Sequence, residues 1–116
     1  MQRIFLKSKI HRARVTDKNL NYEGSLTVDE KLLKKADILP GEFVQVINVT
    51  NGNRFETYAM RGKAGSGAIV LNGGTARLGE IDDEVIIISY CLLDNSQIKF
   101  FKPKVVLVDQ KNRIIK

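Results

Sequence analysis

Short runs of β-branched and aromatic residues, separated by turn signals, fill most of the chain after residue 42. Two of these runs, residues 43–49 and 54–61, flank Asn51-Gly52, a pair that tolerates positive φ and therefore predicts a hairpin with a type I′ turn. A long apolar run at 85–93 predicts a strand that is buried on both faces. This pattern constrains the chain to a mainly β fold.

Shorter segments complete the pattern. Apolar and polar residues alternate over residues 2–16 with one phase break, which predicts an extended segment. Two further strands are predicted at 68–71 and 104–108. Loops or tight turns are predicted at residues 17–25, 62–67 and 72–75.

One helical segment interrupts the strands. Thr27 and Glu30 have the spacing of a capping box, and apolar residues at helical spacing follow them. The helix is expected to end near Asp37, before Pro40. Many short strands with one or two short helices, in a length that suits a single domain (residues 1–116), favour a small β-barrel.

The net charge of +6 leaves several classes of function open. A basic surface attracts nucleic acid or small anionic substrates, but it also serves simply to keep a protein solvated. A single cysteine, Cys91, excludes an intrachain disulfide, and no secretion signal or membrane-length apolar stretch is present. We therefore expect a cytoplasmic protein that does not engage a membrane.

Few residues could form a conventional active site. One histidine, His11, and one cysteine cannot build a His-based or CxxC metal site, so no metal is expected. In Gly24-Ser25 the glycine leaves its own carbonyl unhindered, so the serine hydroxyl could attack that carbonyl and shift the acyl group to oxygen. Elimination from the ester and hydrolysis would then leave a pyruvoyl group at residue 25. The dipeptide alone is weak evidence, because Gly-Ser pairs are usually turns.

Four ordered motifs surround this dipeptide. They are Lys9-Ile10-His11-Arg12, Tyr22-Glu23-Gly24-Ser25, Asn48-Val49-Thr50-Asn51-Gly52 leading into Arg54 and Thr57-Tyr58-Ala59, and Asn72-Gly73. In order and spacing they closely resemble the bacterial aspartate 1-decarboxylase family, and the resemblance covers essentially the whole chain.

The resemblance implies a fold, a maturation step and an activity. The fold would be a double-psi β-barrel, assembled as a homotetramer with active sites between neighbouring subunits. Self-cleavage between residues 24 and 25 would give a β chain (1–24) and an α chain (25–116) that begins with the pyruvoyl cofactor made from Ser25, with no pyridoxal phosphate. The enzyme would decarboxylate L-aspartate at its α-carboxylate to β-alanine and CO2, supplying pantothenate and coenzyme A synthesis.

The resemblance also implies roles for individual residues. The pyruvoyl group would form a Schiff base with the substrate, and Tyr58 would donate the proton that replaces CO2. Arg54, with Lys9 as a second cation, would bind the substrate carboxylates, and Thr57 would polarise the Gly24 carbonyl during self-cleavage while also contacting substrate. Positioning of the chain or substrate is implied for Asn72, Gly73, Gly74 and Thr75, and lining of the site for His11, Tyr22 and Ile47.

Two departures and two alternatives accompany this interpretation. Ile47 stands where many family members have an aromatic residue, and Gly74-Thr75 stands where Ala-Ala is frequent. A small basic β-barrel that binds nucleic acid is the alternative from another class, although the few aromatics are not interleaved with basic clusters. A barrel that serves only as a structural oligomer is the third reading. Whether a maturation factor assists the cleavage is left open by the sequence.

Overall fold

The computed structural model describes residues Met1–Lys116. The strands are β1 (Gln2–Arg14), β2 (Asp17–Asn19), β3 (Ser25–Asp29), β4 (Phe43–Asn48), β5 (Arg54–Gly62), β6 (Ile69–Asn72), β7 (Glu84–Asp94) and β8 (Lys104–Leu107). The helices are α1 (Glu30–Ala36), α2 (Asn95–Ile98) and a 3₁₀ helix (Gly73–Arg77). Neither α-helix has the length and apolar character needed to cross a membrane.

All eight strands join one sheet in the order β2-β6-β3-β5-β4-β7-β1-β8. Only Val15 and Thr16 separate β1, the next-to-last strand of the sheet, from β2 at the opposite edge, so the sheet curls into a barrel. Three neighbouring pairs, β1–β8, β2–β6 and β3–β5, are parallel, whereas an up-and-down barrel contains antiparallel neighbours only. The predicted small, mainly β barrel with one or two short helices is confirmed.

The interior holds one cluster of 19 buried apolar residues. Val44 and Val46 of β4 and Ile87 of β7 point inward, while the residues between them face outward, because side chains alternate along a strand. Helix α1 closes the barrel with Leu32 and Leu33. The barrel therefore has a filled interior and a separate outer face, and the candidate site lies on the latter.

The helix begins later than predicted, and the capping box is wrong. Asp29 is the N-cap, its carboxylate accepting the Lys31 N–H at 2.8 Å. Thr27 lies in β3 with a neighbouring strand on each side, so its backbone and hydroxyl are already engaged. The predicted end is confirmed, since Asp37 adopts the left-handed conformation and caps the helix.

The predicted hairpin joins β4 to β5, but its turn is not type I′. That turn requires positive φ at both central residues, and only Gly52 has it, at 82°. The loop instead covers residues 49–52, with the Asn48 N–H donating to the Asn53 carbonyl and the Gly52 N–H to the Asn48 carbonyl. The Asn48 side chain holds this wider loop by accepting two further backbone N–H groups.

Three smaller predictions also need correction. The polar segment 17–25 contains strand β2, which pairs in parallel with β6 through backbone groups that its polar side chains do not disturb. Residues 73–75 form the first part of the 3₁₀ helix, with Asn72 as its N-cap, rather than a simple tight turn. The run at 85–93 is buried on one face only, because its outward residues, such as Ile86 and Ile88, are only half-covered by this chain.

Candidate active site

Ser25 begins β3 and is buried, with 3% of its surface exposed. Strand β6 pairs with β3 so that Asn72 lies opposite Ser25. Asn72 Nδ2 donates to Ser25 Oγ at 3.1 Å and to Thr27 Oγ1 at 2.9 Å. Thr75 Oγ1 donates to the Asn72 carbonyl at 2.8 Å and lies 3.3 Å from the Ser25 carbonyl oxygen. The Ser25 hydroxyl is thus held in a defined, buried position by residues of the same chain.

The loop before Ser25 rests on Gly73. Gly73 has a φ of 63°, and a Cβ there would lie 2.7 Å from Gly24 Cα and 2.8 Å from the Tyr22 carbonyl oxygen. Glycine is therefore required at this position by both conformation and contact. The Tyr22 side chain is exposed, so Tyr22 meets the site through its backbone.

Gly24 differs from Gly73 in this respect. A Cβ on Gly24 would meet nothing within 4 Å, and its φ is not in the left-handed region. Neither packing nor backbone conformation within this chain requires glycine there. An unhindered carbonyl next to Ser25 accounts for the residue without either requirement.

Strand β5 brings Tyr58 to the other side of Ser25. Leu26 pairs with Ala59 in the parallel β3–β5 ladder, and continuing this register by one residue places Ser25 beside Tyr58. Alternation along each strand then puts the side chains of Tyr58, Ser25 and Asn72 on one face of three adjacent strands. Tyr58 is 40% exposed and forms no hydrogen bond through its hydroxyl.

Thr57 lies beside Gly24 when the same register is continued by a second residue. Its side chain points to the opposite face from Tyr58, and it is half-buried. No hydrogen bond joins Thr57 Oγ1 to the Gly24 carbonyl in this conformation. Thr57 therefore lies near the predicted scissile bond but forms no hydrogen bond with the carbonyl of that bond.

Arg54 and Ile47 face each other across β4 and β5. Arg54 lies four residues before Tyr58 on the same strand, so both side chains project from the outer face. The Arg54 guanidinium is exposed and takes part in no ion pair or side-chain hydrogen bond. It is available to bind an anion through its planar fork.

Lys9 and His11 lie elsewhere on the barrel. Both are on β1, which is three strand positions from β5, or about 14 Å at the usual strand spacing. Lys9 forms no ion pair, and His11 Nδ1 is buried without a hydrogen-bond partner beside β8. Within one chain the structure does not bring these two predicted residues to Ser25. Gly74 is in the 3₁₀ helix with open space around it.

The outer face near Tyr58 carries an apolar hollow of about 720 Å³. It is lined by Ile4, Phe43, Gln45, Glu56, Tyr90, Cys91 and Leu92. Phe43 pairs directly with Tyr58, so the hollow adjoins the face that carries Tyr58 and Arg54. Exposed apolar surfaces of this kind are typical of places that bind another molecule.

One residue of the centre was misassigned from the sequence. Thr27 was interpreted as a helix cap, but its hydroxyl bonds Asn72 beside Ser25. The signal that identifies its position is the alternation of Ser25 and Thr27 with the apolar Leu26 and Val28, which is the period of a strand.

Comparison with known proteins identifies the family of the chain. The sequence model of the aspartate decarboxylase family matches residues 1–115. The chain is 59% identical over 115 residues to the aspartate 1-decarboxylase of Kosmotoga olearia, covering 99% of this chain and 98% of that protein. It is 57% identical over 113 residues to that of Thermoanaerobacter pseudethanolicus, covering 97% of each. The chain therefore belongs to the aspartate decarboxylase family.

Proposed function

We propose that this chain cuts itself between Gly24 and Ser25 and then decarboxylates L-aspartate to β-alanine and CO2. The observation that carries the proposal is the buried Ser25 hydroxyl, held by Asn72, with Tyr58 beside it on the same face. The relatives described above are named aspartate 1-decarboxylase, and this chain matches nearly the whole length of each. The family and the geometry thus support the same activity.

Maturation would begin at the serine hydroxyl. Ser25 Oγ attacks the carbonyl carbon of Gly24, and the peptide bond becomes an ester. Removal of the Ser25 α-proton then breaks the Cβ–Oγ bond, whose electron pair leaves with the oxygen as the carboxylate of Gly24. Asn72 Nδ2 donates to this oxygen and would stabilise the charge that develops on it. Hydrolysis of the remaining dehydroalanine releases ammonia and leaves a pyruvoyl group.

The residues around position 25 fit such a group. A pyruvoyl carbonyl there would supply the electron-withdrawing centre that allows the substrate α-carboxylate to leave as CO2. Asn72 and Thr75 would continue to hold the start of the α chain. Tyr58, one strand away on the same face, would hold the phenolic proton that replaces CO2.

Substrate recognition would draw on the exposed face. The free Arg54 guanidinium would bind one carboxylate of aspartate through paired N–H groups. Lys9 would supply the second cation, but its position on β1 is too far for it to reach the same substrate easily within one chain. A neighbouring subunit would bring a Lys9 side chain closer.

We therefore place the active sites between the subunits of a homotetramer. A second copy covering the apolar hollow and the adjoining face would exclude water from Tyr58 and Arg54, which strengthens their electrostatic contacts. With Cys91 as its single cysteine, the chain has no intrachain disulfide, and this supports the cytoplasm as the place where the enzyme acts.

Intact-mass spectrometry of the purified protein tests the proposal. We expect two fragments, residues 1–24 and 25–116, with no free N-terminal amine on the larger one. Ser25→Ala should abolish cleavage and decarboxylation together, because it removes the attacking oxygen. Ser66→Ala is the matched control, since it follows Gly65 in an exposed loop. A wild-type chain that stays whole after long incubation would refute the proposal.

A further inference from the structure

Thr27 contributes to the Ser25 centre through its bond to Asn72. It lies two residues after Ser25 on β3, so the two side chains share a face. Its Oγ1 accepts a hydrogen bond from the same Asn72 nitrogen that donates to Ser25 Oγ, at 2.9 Å against 3.1 Å. An amide nitrogen carries two N–H groups. The two hydroxyls thus take both of them and fix the direction of the Asn72 side chain.

The Thr27 side chain is itself held in place. A Cβ on Gly62 would lie only 3.0 Å from Thr27 Cγ2, so the threonine methyl packs against bare backbone on β5. A β-branched side chain has few accessible χ1 rotamers, and this contact favours the one that directs Oγ1 at Asn72. The orientation of the Asn72 amide is therefore set by two neighbours, one polar and one steric.

We propose that Thr27 is a positioning residue for self-processing, an inference that rests on the maturation proposed above. It holds Asn72 Nδ2 against Ser25 Oγ while the Cβ–Oγ bond breaks. In that step the Ser25 α-proton passes to water, the double bond of dehydroalanine forms, and the Cβ–Oγ electron pair leaves as the Gly24 carboxylate. Thr27 touches no reacting atom and acts through Asn72.

Removing the Thr27 hydroxyl would leave one amide N–H of Asn72 without a partner in a largely buried setting. An unpaired buried donor is unfavourable, so the amide would turn to find another acceptor and its contact with Ser25 Oγ would weaken. The elimination step would slow more than the acyl shift, because Oγ ends the elimination as a charged carboxylate oxygen, whereas it ends the acyl shift as a neutral ester oxygen. The ester would then accumulate.

The test compares Thr27→Val with Thr27→Ser, following maturation by mass spectrometry with and without hydroxylamine. Hydroxylamine opens the ester and releases a fragment that begins with an unmodified Ser25, whose mass differs from that of the pyruvoyl form. We expect Thr27→Val to mature about tenfold more slowly and to accumulate the trapped fragment. Thr27→Ser should restore both. Gly62→Ala, which presses on the Thr27 methyl, should change both in the direction of Thr27→Val.

Thr16→Val is the matched control, because the Thr16 hydroxyl also bonds β6, there through the Ile69 backbone, but has no hydrogen bond with Asn72. It should lower the melting temperature without trapping an ester. The inference is overturned if Thr27→Val matures like the wild type, or if it slows without ester accumulation or rescue by serine. A wild-type chain that never cleaves would overturn the proposed function itself, whereas normal wild-type maturation beside an unaffected Thr27→Val overturns only the inference.

Discussion

The Ser25 centre and the outer face of β5 lie side by side but differ in completeness. Around Ser25, each polar contact comes from the same chain: Asn72 bonds the hydroxyl, Thr75 approaches the carbonyl, and Gly73 supports the preceding loop. On the outer face, Arg54 and Tyr58 have no hydrogen-bonding partners for their side chains. The polar groups of the Ser25 centre are therefore paired within a single chain, whereas the side chains of Arg54 and Tyr58 are not.

This difference separates two chemical tasks. Self-processing needs a serine, a neighbouring carbonyl and a positioned donor, and a single chain supplies all three. Binding a dianion needs two cations and exclusion of water, and one subunit leaves its candidate cations on strands far apart. We therefore expect cleavage to be a property of the chain and decarboxylation a property of the assembly.

Leu92→Glu tests this division most severely. Leu92 is 59% exposed and lines the apolar hollow, so a carboxylate there should prevent a second subunit from packing. We expect a smaller particle by sedimentation that still cleaves at 24/25 but decarboxylates more than about 100-fold more slowly, because its site is not held in the reactive geometry. Leu39→Glu, on an equally exposed leucine after α1, is the control. If cleavage stops together with assembly, the proposed division is wrong.

Tyr58→Phe should affect only the second task. The variant retains the ring and loses the phenolic proton, so kcat should fall by about 10²–10⁴-fold while self-cleavage proceeds at the wild-type rate. Steady-state kinetics on fully matured protein measures the first effect and mass spectrometry the second. Tyr90→Phe, which breaks only the bond to Gln45, should change kcat little. Unchanged turnover in Tyr58→Phe would remove Tyr58 from the mechanism.

Gly73→Ala should affect mainly the first task. The added Cβ would lie 2.7 Å from Gly24 Cα and would favour a different φ, so the scissile loop must move. We expect maturation to slow by about 10–100-fold, corresponding to the usual cost of overpacking at about 1–3 kcal/mol. Gly74→Ala, with open space around its Cβ, should mature normally. Equal rates for the two variants would show that the loop does not depend on this contact.

Arg54→Lys is expected to give the smallest effect and to sharpen the contrast. A lysine keeps the charge but loses the paired N–H groups, so KM for aspartate should rise about tenfold with kcat largely kept. Arg61→Lys, at the far end of β5 and paired with Glu30, should leave KM unchanged. A fall in maturation rate for Arg54→Lys would instead connect the two regions.

Local patterns predicted most of the fold and little of the site. The end of α1 followed from its stop signals. Its start was missed because Thr27 and Glu30 have the spacing of a capping box, whereas the N-cap in the structure is Asp29. The hairpin was predicted, but its loop is held by the Asn48 side chain, which accepts the Thr50 and Asn51 N–H groups in a local Asx-type pattern. The Asn48 amide nitrogen is itself held by tertiary contacts with Leu78 and Asp83, and the side chain fixed in this way overrides the Asn-Gly preference.

The site shows the same limit more strongly. That Asn72 meets Ser25 depends on the pairing of β3 with β6, which joins residues 47 positions apart in the chain. The resemblance to a family identified both as site residues, but it did not indicate that Lys9 lies three strands away from Tyr58. Strand order sets that separation, and alternation patterns carry no information about strand order.

The position of the 24/25 bond has a consequence for refolding. The segment before it supplies β1, which pairs with β7 and β8, and contributes Ile10, Ala13 and Val15 to the core. If the bond is cut as proposed, the barrel becomes a complex of two polypeptides. The uncut precursor can regain its barrel in a first-order reaction, whereas the mature protein, once denatured, must bring two chains together. The yield of refolded mature protein would depend on protein concentration. Part of the free energy of folding would become the free energy of association of the two chains.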